Sequence, residues 1–403
     1  MNLTIVGVGP GSAGLCTQSA ITAIKSADLV LTSVKVNEHI QGMTKKLQQM
    51  KVMEIVDFIK TEANSEKNIV ILASGDVGYY SIAATMRNHL GPDFEMILIP
   101  GISSLQLMCA KCHLGYEDLR LLSLHGRAGS IVPFVTYNRK VFTLTGGEFG
   151  VKEILEDLID SGLEDVTVYV GENLSLENER VTKGTPKELL RLTFEKLAVM
   201  IVVNSNYTNC HILPKDDDYA RGKRPMTKEA VRNLSVDMLQ IEPNHLCWDV
   251  GAGTGGVTVA MARRASESFV YAVEALEEGV ELIEENIRKL GANNIKPVFG
   301  MAPEALESLP VPDKVFIGGS KGQMSEVVKL VLDKNPKATI VVNAITLETI
   351  GEALAVFKEM KLDTEIVSIS AAKSKKLGRY NMMMGENPIY IIKGELIEES
   401  ENS

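Results

Sequence analysis

The chain has 403 residues, 45% of them hydrophobic, with a formal net charge of −10 and five cysteines. That length and apolar content predict two domains. The acidic balance argues against a nucleic-acid partner, no apolar run reaches the ~18 residues of a membrane span, and five cysteines make no disulfide framework. Met1 runs into an apolar strand with no basic leader or cleavage site, so a cytoplasmic location is expected.

In chain order, residues 3–8 read as a strand running into Gly7-Val8-Gly9-Pro10-Gly11, and 14–26 as a helix with Leu15, Ile21 and Ile24 on one face. Further strands are predicted at 28–31, 68–73, 95–99, 119–124, 140–144, 166–170 and 197–203, with helices between most of them. Such alternation predicts a parallel or mixed sheet covered on both faces. Cys109-Ala110-Lys111-Cys112 forms a lone C-x-x-C on a helical stretch, read as reduced, buried thiols rather than a redox or zinc site. No metal-ligand constellation or Ser-His-Asp set is visible, so no metal is expected.

The loop 7–11 resembles a phosphate loop but lacks the P-loop lysine, and Pro10 withholds an N–H. Three companions also follow predicted strands, where open α/β sheets place ligand loops: Ser74-Gly75-Asp76-Val77-Gly78-Tyr79, Pro100-Gly101-Ile102-Ser103-Ser104 and His125-Gly126-Arg127. Together the four stretches resemble the tetrapyrrole methylase family, a two-lobed α/β (class III) fold with S-adenosyl-L-methionine (SAM) between its lobes. His125-Gly126-Arg127 and Asp76-Val77, where many relatives have Asp-Pro, are similar to the branch that methylates carbon 5 of a corrin precursor. The resemblance implies cofactor contacts at Pro10, Ser74, Gly75, Asp76, Tyr79, Ser103 and Ser104.

The first domain is expected over 1–210 and a polar linker over 211–222, with Asp216-Asp217-Asp218 a solvated acidic run. The second domain, 223–403, opens at Arg224-Pro225-Met226-Thr227-Lys228-Glu229, with Thr227 the expected N-cap of a helix carrying Val231, Leu234, Met238 and Leu239. Cys247-Trp248-Asp249-Val250 then runs into Gly251-Ala252-Gly253-Thr254-Gly255-Gly256, a strand, tight turn and helix start. Gly251, Gly253 and Gly256 fit the dinucleotide fingerprint G-x-G-x-x-G; Asp249, Gly251, Gly253 and Gly255 equally fit the D-x-G-x-G-x-G of SAM methyltransferases. Asp249 favours the second, because a carboxylate suits an ammonium and repels a pyrophosphate. Glu274 closes the next strand, where an acid can grip two ribose hydroxyls. Strands near 295–299, 313–317 and 338–342 and helices at 277–290, 323–332 and 347–358 follow, and 363–370 is expected antiparallel to 388–393. This is the order of a seven-stranded, Rossmann-like class I methyltransferase, and the acidic tail from Glu395 is expected to fray.

The 224–229, 249–256, 302–306 and 316–320 stretches resemble the decarboxylating corrin methyltransferases acting at carbon 15. The whole chain is similar to the fused C5,15-methyltransferases of cobalamin (vitamin B12) biosynthesis, which act on precorrin-6Y. The resemblance implies cofactor contacts at Thr227, Gly251, Ala252, Gly253, Thr254, Gly255, Glu274 and Ala302, although Met301 stands where relatives often carry Asp. It also implies a tetrapyrrole substrate rich in carboxylates, for which Arg127, Arg224, Lys228 and Lys321 are the candidate grips. Lys373, Lys375, Lys376 and Arg379 form a basic run that either meets substrate carboxylates or is a solvated loop, and Met382-Met383-Met384 either flank a flat macrocycle or, the favoured reading, are core or flexible loop. A small-molecule partner and a homo-oligomer are expected, with no catalytic side chain assigned. A nicotinamide oxidoreductase leaves Asp249 and the first domain's loops unexplained, and a non-catalytic tetrapyrrole carrier needs no cofactor clefts.

Overall fold

The computed structural model describes residues 1–33, 38–62, 65–124, 129–222 and 225–396. Its first sheet holds β1 (Asn2–Gly7), β2 (Leu29–Thr32), β3 (Leu47–Gln49), β4 (Asn68–Ala73) and β5 (Ile97–Ile99). They run parallel in the order β3-β2-β4-β1-β5. Their β-branched and leucine runs suit a sheet buried on both faces: Leu3, Ile5, Val6, Ile69 and Ile71 are no more than 2% exposed. The order places β4, β1 and β5 side by side, so the loops after 73, 7 and 99 converge at one sheet edge.

A second, mixed sheet comprises β6 (Leu119–Ser123), β7 (Lys140–Leu144), β8 (Thr167–Glu172), β9 (Arg180–Gly184) and β10 (Ala198–Val203), in the order β6-β7-β10-β8-β9. Only the β6–β7 pair is parallel. The third sheet contains β11 (Cys247–Val250), β12 (Val270–Glu274), β13 (Ile295–Phe299), β14 (Lys314–Ile317), β15 (Thr339–Ala344), β16 (Leu362–Ile369) and β19 (Ile389–Leu396). Its order, β13-β12-β11-β14-β15-β19-β16, is that of the expected seven-stranded methyltransferase, with β19 antiparallel to both neighbours. Between β16 and β19 stands a two-stranded hairpin, β17 (Ala372–Leu377) and β18 (Tyr380–Gly385). No described helix is long and apolar enough to cross a membrane. By compactness, Met1–Gly129, Lys140–Glu156 and Glu164–Val203 form one unit, and Ser130–Arg139, Asp157–Leu163 and Asn204–Ser403 the other.

Local chemistry corrects several expectations. The 14–26 helix is broken: a short 3-10 turn at Ala13–Leu15 ends at extended Cys16, and the helix Gln18–Ser26 starts after Thr17, whose hydroxyl accepts from the Ala20 N–H. Thr227 is not the N-cap of Glu229–Met238; Lys228 is, while the Thr227 carbonyl accepts from Arg232 Nη1 at 2.8 Å. Asp216 is buried rather than solvated, ion-paired at 3.0 Å with the fully buried Arg232. The basic 373–379 run and Met382–Met384 lie in the β17–β18 hairpin, every residue of which is exposed, so the methionines are not core. Residues from 397 onward lie outside the described residues.

Candidate active sites

In the first unit the three glycine loops are tied into one floor. The N–H and C=O of Gly9 exchange hydrogen bonds with Gly75 at 3.1 and 2.9 Å. Gly101 abuts Gly75 of that pair and Gly7 at the end of β1: a Cβ there would lie 2.3 Å from the Gly75 carbonyl oxygen and 2.6 Å from that of Gly7. Asp76 clips the loops together, accepting from the Gly78 N–H at 2.7 Å and the Gly101 N–H at 3.0 Å. Ser103 caps the helix Ser104–Cys112 in a reciprocal box with Gln106. The Tyr79 hydroxyl donates to the Leu122 carbonyl at 2.7 Å, and its burial raises its pKa. Asp76, Tyr79 and Ser103 therefore shape the floor, while Pro10, Ser74, Gly75 and Ser104 keep exposed or half-buried surface around it. His125 and Arg127 lie outside the described residues. Cys109 and Cys112 are free thiols, and burial pushes Cys112 up to about 11, away from thiolate chemistry.

In the second unit the carboxyl ends of β11, β12, β14 and β15 surround a cavity of about 920 Å³. Thr227, Lys228, Asp249, Gly251, Ala252, Gly253, Thr254, Glu274, Ala302 and Lys321 all line it. Gly255 is not among them. It sits behind the turn as N-cap of Gly256–Arg264, backed by Ile283. Arg224 lies outside the described residues. Gly251 and Gly253 have φ of +74° and +60°, a conformation that disfavours a side chain. Around Gly253 an added Cβ meets nothing within 4 Å, because that position opens onto the cavity.

Asp249 sets the electrostatics. It is 1% exposed, its Oδ2 accepts from the Thr258 hydroxyl at 2.5 Å, and its Oδ1 has no hydrogen-bond partner among the described residues. Burial pushes its carboxyl up to about 7, against the Thr258 hydrogen bond and helped by the nearby Glu274 charge. A buried carboxylate oxygen without a donor is costly unless a cation meets it. Glu274 accepts from the Gly253 N–H at 2.9 Å and the Leu276 N–H at 3.0 Å, fastening the turn to the end of β12. Sequence reasoning missed Asn343 and Ile345 at the end of β15, and Ala371 and Asn387 at the hairpin root, which also line the cavity. The end of β15 was findable by the same strand-end rule; the hairpin root depends on a topology that the local pattern does not show.

The fold is a two-part α/β architecture whose second half holds a cavity walled by a glycine turn and the acids Asp249 and Glu274. Residues 218–394 match the family described as precorrin methyltransferase domain, and residues 2–190 the tetrapyrrole (corrin/porphyrin) methylases. A probable cobalt-precorrin-6B C(15)-methyltransferase (decarboxylating) of Pyrobaculum calidifontis is 38% identical over 170 residues, 42% of this chain and 87% of the relative. A precorrin-6Y C(5,15)-methyltransferase (decarboxylating) of Sinorhizobium sp is 27% identical over 315 residues, 77% of this chain and 76% of the relative. A crystal structure of precorrin-6y C5,15-methyltransferase from Geobacter metallireducens is 33% identical, covering 45% of this chain and 97% of its own, with a TM-score of 0.44. The chain belongs to the precorrin methyltransferase family, with a tetrapyrrole methylase domain fused ahead of it. It is a methyltransferase.

Proposed function

We propose that the chain transfers methyl groups from SAM to a corrin precursor, at C5 in the first domain and at C15 in the second, with loss of the C12 acetate carboxyl as CO₂. The observation that carries this reading is Asp249 Oδ1, without a hydrogen-bond partner among the described residues, at a cavity walled by the glycine turn, Glu274 and Ala302. That donor set fits SAM: a carboxylate for its ammonium, a turn open at Gly253 for its backbone-hugging chain, and an acid at Glu274 for its ribose. When bound, SAM supplies a methyl group on a cationic sulfur. The chain's own residues then need to align the acceptor carbon and exclude water rather than supply a strong base. Lys228 and Lys321, both exposed on the cavity rim, are our candidates for holding substrate carboxylates, together with Arg127 and Arg224. Holding the acetate arm with its breaking bond along the ring's π system lets the macrocycle take the electron pair.

Mass spectrometry of products from purified protein, SAM and metal-free or cobalt-loaded precursor tests the reading. Two added methyls with one lost carboxyl are expected; NAD binding in place of SAM refutes it. We further infer a homo-oligomer, supported by β18. This strand is uncharged from Tyr380 to Gly385, with Met383 63% and Tyr380 63% exposed, whereas lysines occupy β17. Lysines protect an edge from pairing and an apolar uncharged edge invites it. Sedimentation should show an assembly that Met383→Lys dissociates; a monomeric parent chain rejects this inference.

A further inference from the structure

The stretch 211–222, polar in sequence, is fastened to two walls of the second cavity. On one side the buried Arg232 guanidinium donates to the Pro214 carbonyl at 3.1 Å and to Asp216 Oδ1 at 3.0 Å, and lies 4.8 Å from the Tyr219 ring. The same guanidinium donates to the carbonyl of Thr227, a cavity residue. On the other side Asn286, fully buried, accepts from the Ala220 N–H at 2.7 Å. Its amide donates to the Ala220 carbonyl at 3.3 Å and to the carbonyl of Thr254, in the glycine turn, at 2.9 Å. Tyr219, 3% exposed, adds a hydroxyl bond of 3.3 Å to the Gly256 carbonyl. One side chain on each flank thus bonds both this segment and a cavity wall.

We propose that residues 214–221 form a strap whose seating is thermodynamically coupled to cofactor occupancy of the second cavity, with Asn286 as the positioning residue that joins strap to turn. The inference rests on the SAM reading above. If the strap leaves, Arg232 loses Pro214 and Asp216 and Asn286 loses Ala220, so buried polar groups go unpaired on the same two side chains that hold Thr227 and Thr254, and the fixation of both cavity walls weakens with it. Coupling of this kind is reciprocal: what the strap does for SAM, SAM does for the strap. Asn286 touches no reacting group in this account; it holds the backbone that does.

The full-length chain provides the test. Lys215 and Arg221 are exposed trypsin sites within the strap, and cleavage at them requires local opening. In the parent chain, saturating SAM should slow cleavage there about tenfold, while Gly253→Arg, which fills the second cavity alone, should abolish the protection. Asn286→Leu should raise the KM for SAM in C15 methylation about tenfold, leave the KM for the macrocycle and C5 methylation unchanged, and speed SAM-free cleavage at both sites. Tyr219→Phe, which removes the hydroxyl bond to Gly256 and keeps a ring beside Arg232, should act in the same direction and less strongly. It serves as the folded control if Asn286→Leu does not accumulate. A parent chain that binds SAM with unchanged cleavage overturns the coupling alone. So does either variant, folded, with parental SAM affinity and parental cleavage. A parent chain that binds no SAM overturns the cofactor reading and the coupling with it.

Discussion

Asp249→Asn has opposite expected effects on stability and on binding. The carboxyl of Asp249 moves from an ordinary 3.8 to about 7 chiefly because it is buried. Keeping it ionised in the ligand-free fold above that pH therefore costs on the order of 4 kcal/mol relative to the unfolded chain. The sign follows from the raised value. Between about pH 4 and pH 7 the folded state binds the proton and the unfolded chain does not, so stability is greatest below that window, falls as pH rises through it and is flat above. Asparagine keeps the size and the Thr258 partner but removes the ionisation. In urea unfolding of the ligand-free second-domain transition, Asp249→Asn should gain roughly 1–3 kcal/mol over the parent at pH 8. The gain should vanish near pH 4. Calorimetry should show the reverse for SAM at the second site: the variant binds roughly 10- to 100-fold more weakly at pH 8, because a buried ion pair loses one partner. Parent affinity should also fall about tenfold per unit as pH drops below 7, and that slope should be missing in the variant. A variant that is less stable than the parent at pH 8, or that binds SAM with parental affinity and slope, refutes the argument.

Calorimetry of the intact chain should count two SAM sites, and Gly253→Arg should reduce the count to one. That same substitution puts a side chain at φ +60° where the turn opens onto the cavity. It should abolish C15 methylation and decarboxylation while C5 methylation, read by product mass, continues. Lys321→Ala should leave SAM binding intact and raise the KM for the macrocycle, with an expected loss of about 1–3 kcal/mol if its ammonium grips a carboxylate; a parental KM removes Lys321 from substrate binding.

Much of the fold was legible because its signals are local. Runs such as Ile69–Leu72 read as strands from β-branching alone, and the Asp249 turn announces itself through residues only two apart. What escaped depends on partners distant in sequence. The acidic 216–218 run looks solvated until Arg232, on the next helix, is seen to bury Asp216. Lys228 rather than Thr227 caps that helix, its carbonyl accepting the first helical bond from the Arg232 N–H at 2.8 Å. The β17–β18 hairpin has no buried face, so it carries no apolar alternation to read. In the second domain the sequence pointed to the Asp249 turn, Glu274, Ala302 and Lys321 in the cavity lining, but not to Leu276 and Glu278 after β12, the end of β15 or the hairpin root, where strand order decides proximity. In the first domain the sequence marked Asp76 and Ser103 by position but could not reveal that their polar atoms are engaged by the protein's own backbone and Gln106.

The contact of Gly101 with Gly7 and Gly75 has a kinetic consequence. Three loops held backbone to backbone, with an Asp76 clip across them, cannot open one at a time. Their conformational entropy is surrendered during folding, not when a ligand arrives. This floor is therefore preformed, and on the function proposed above exchange of spent for fresh cofactor there should be paced by diffusion and desorption. Association at the first domain should accordingly follow ligand concentration linearly in stopped flow, with no plateau from a preceding loop closure.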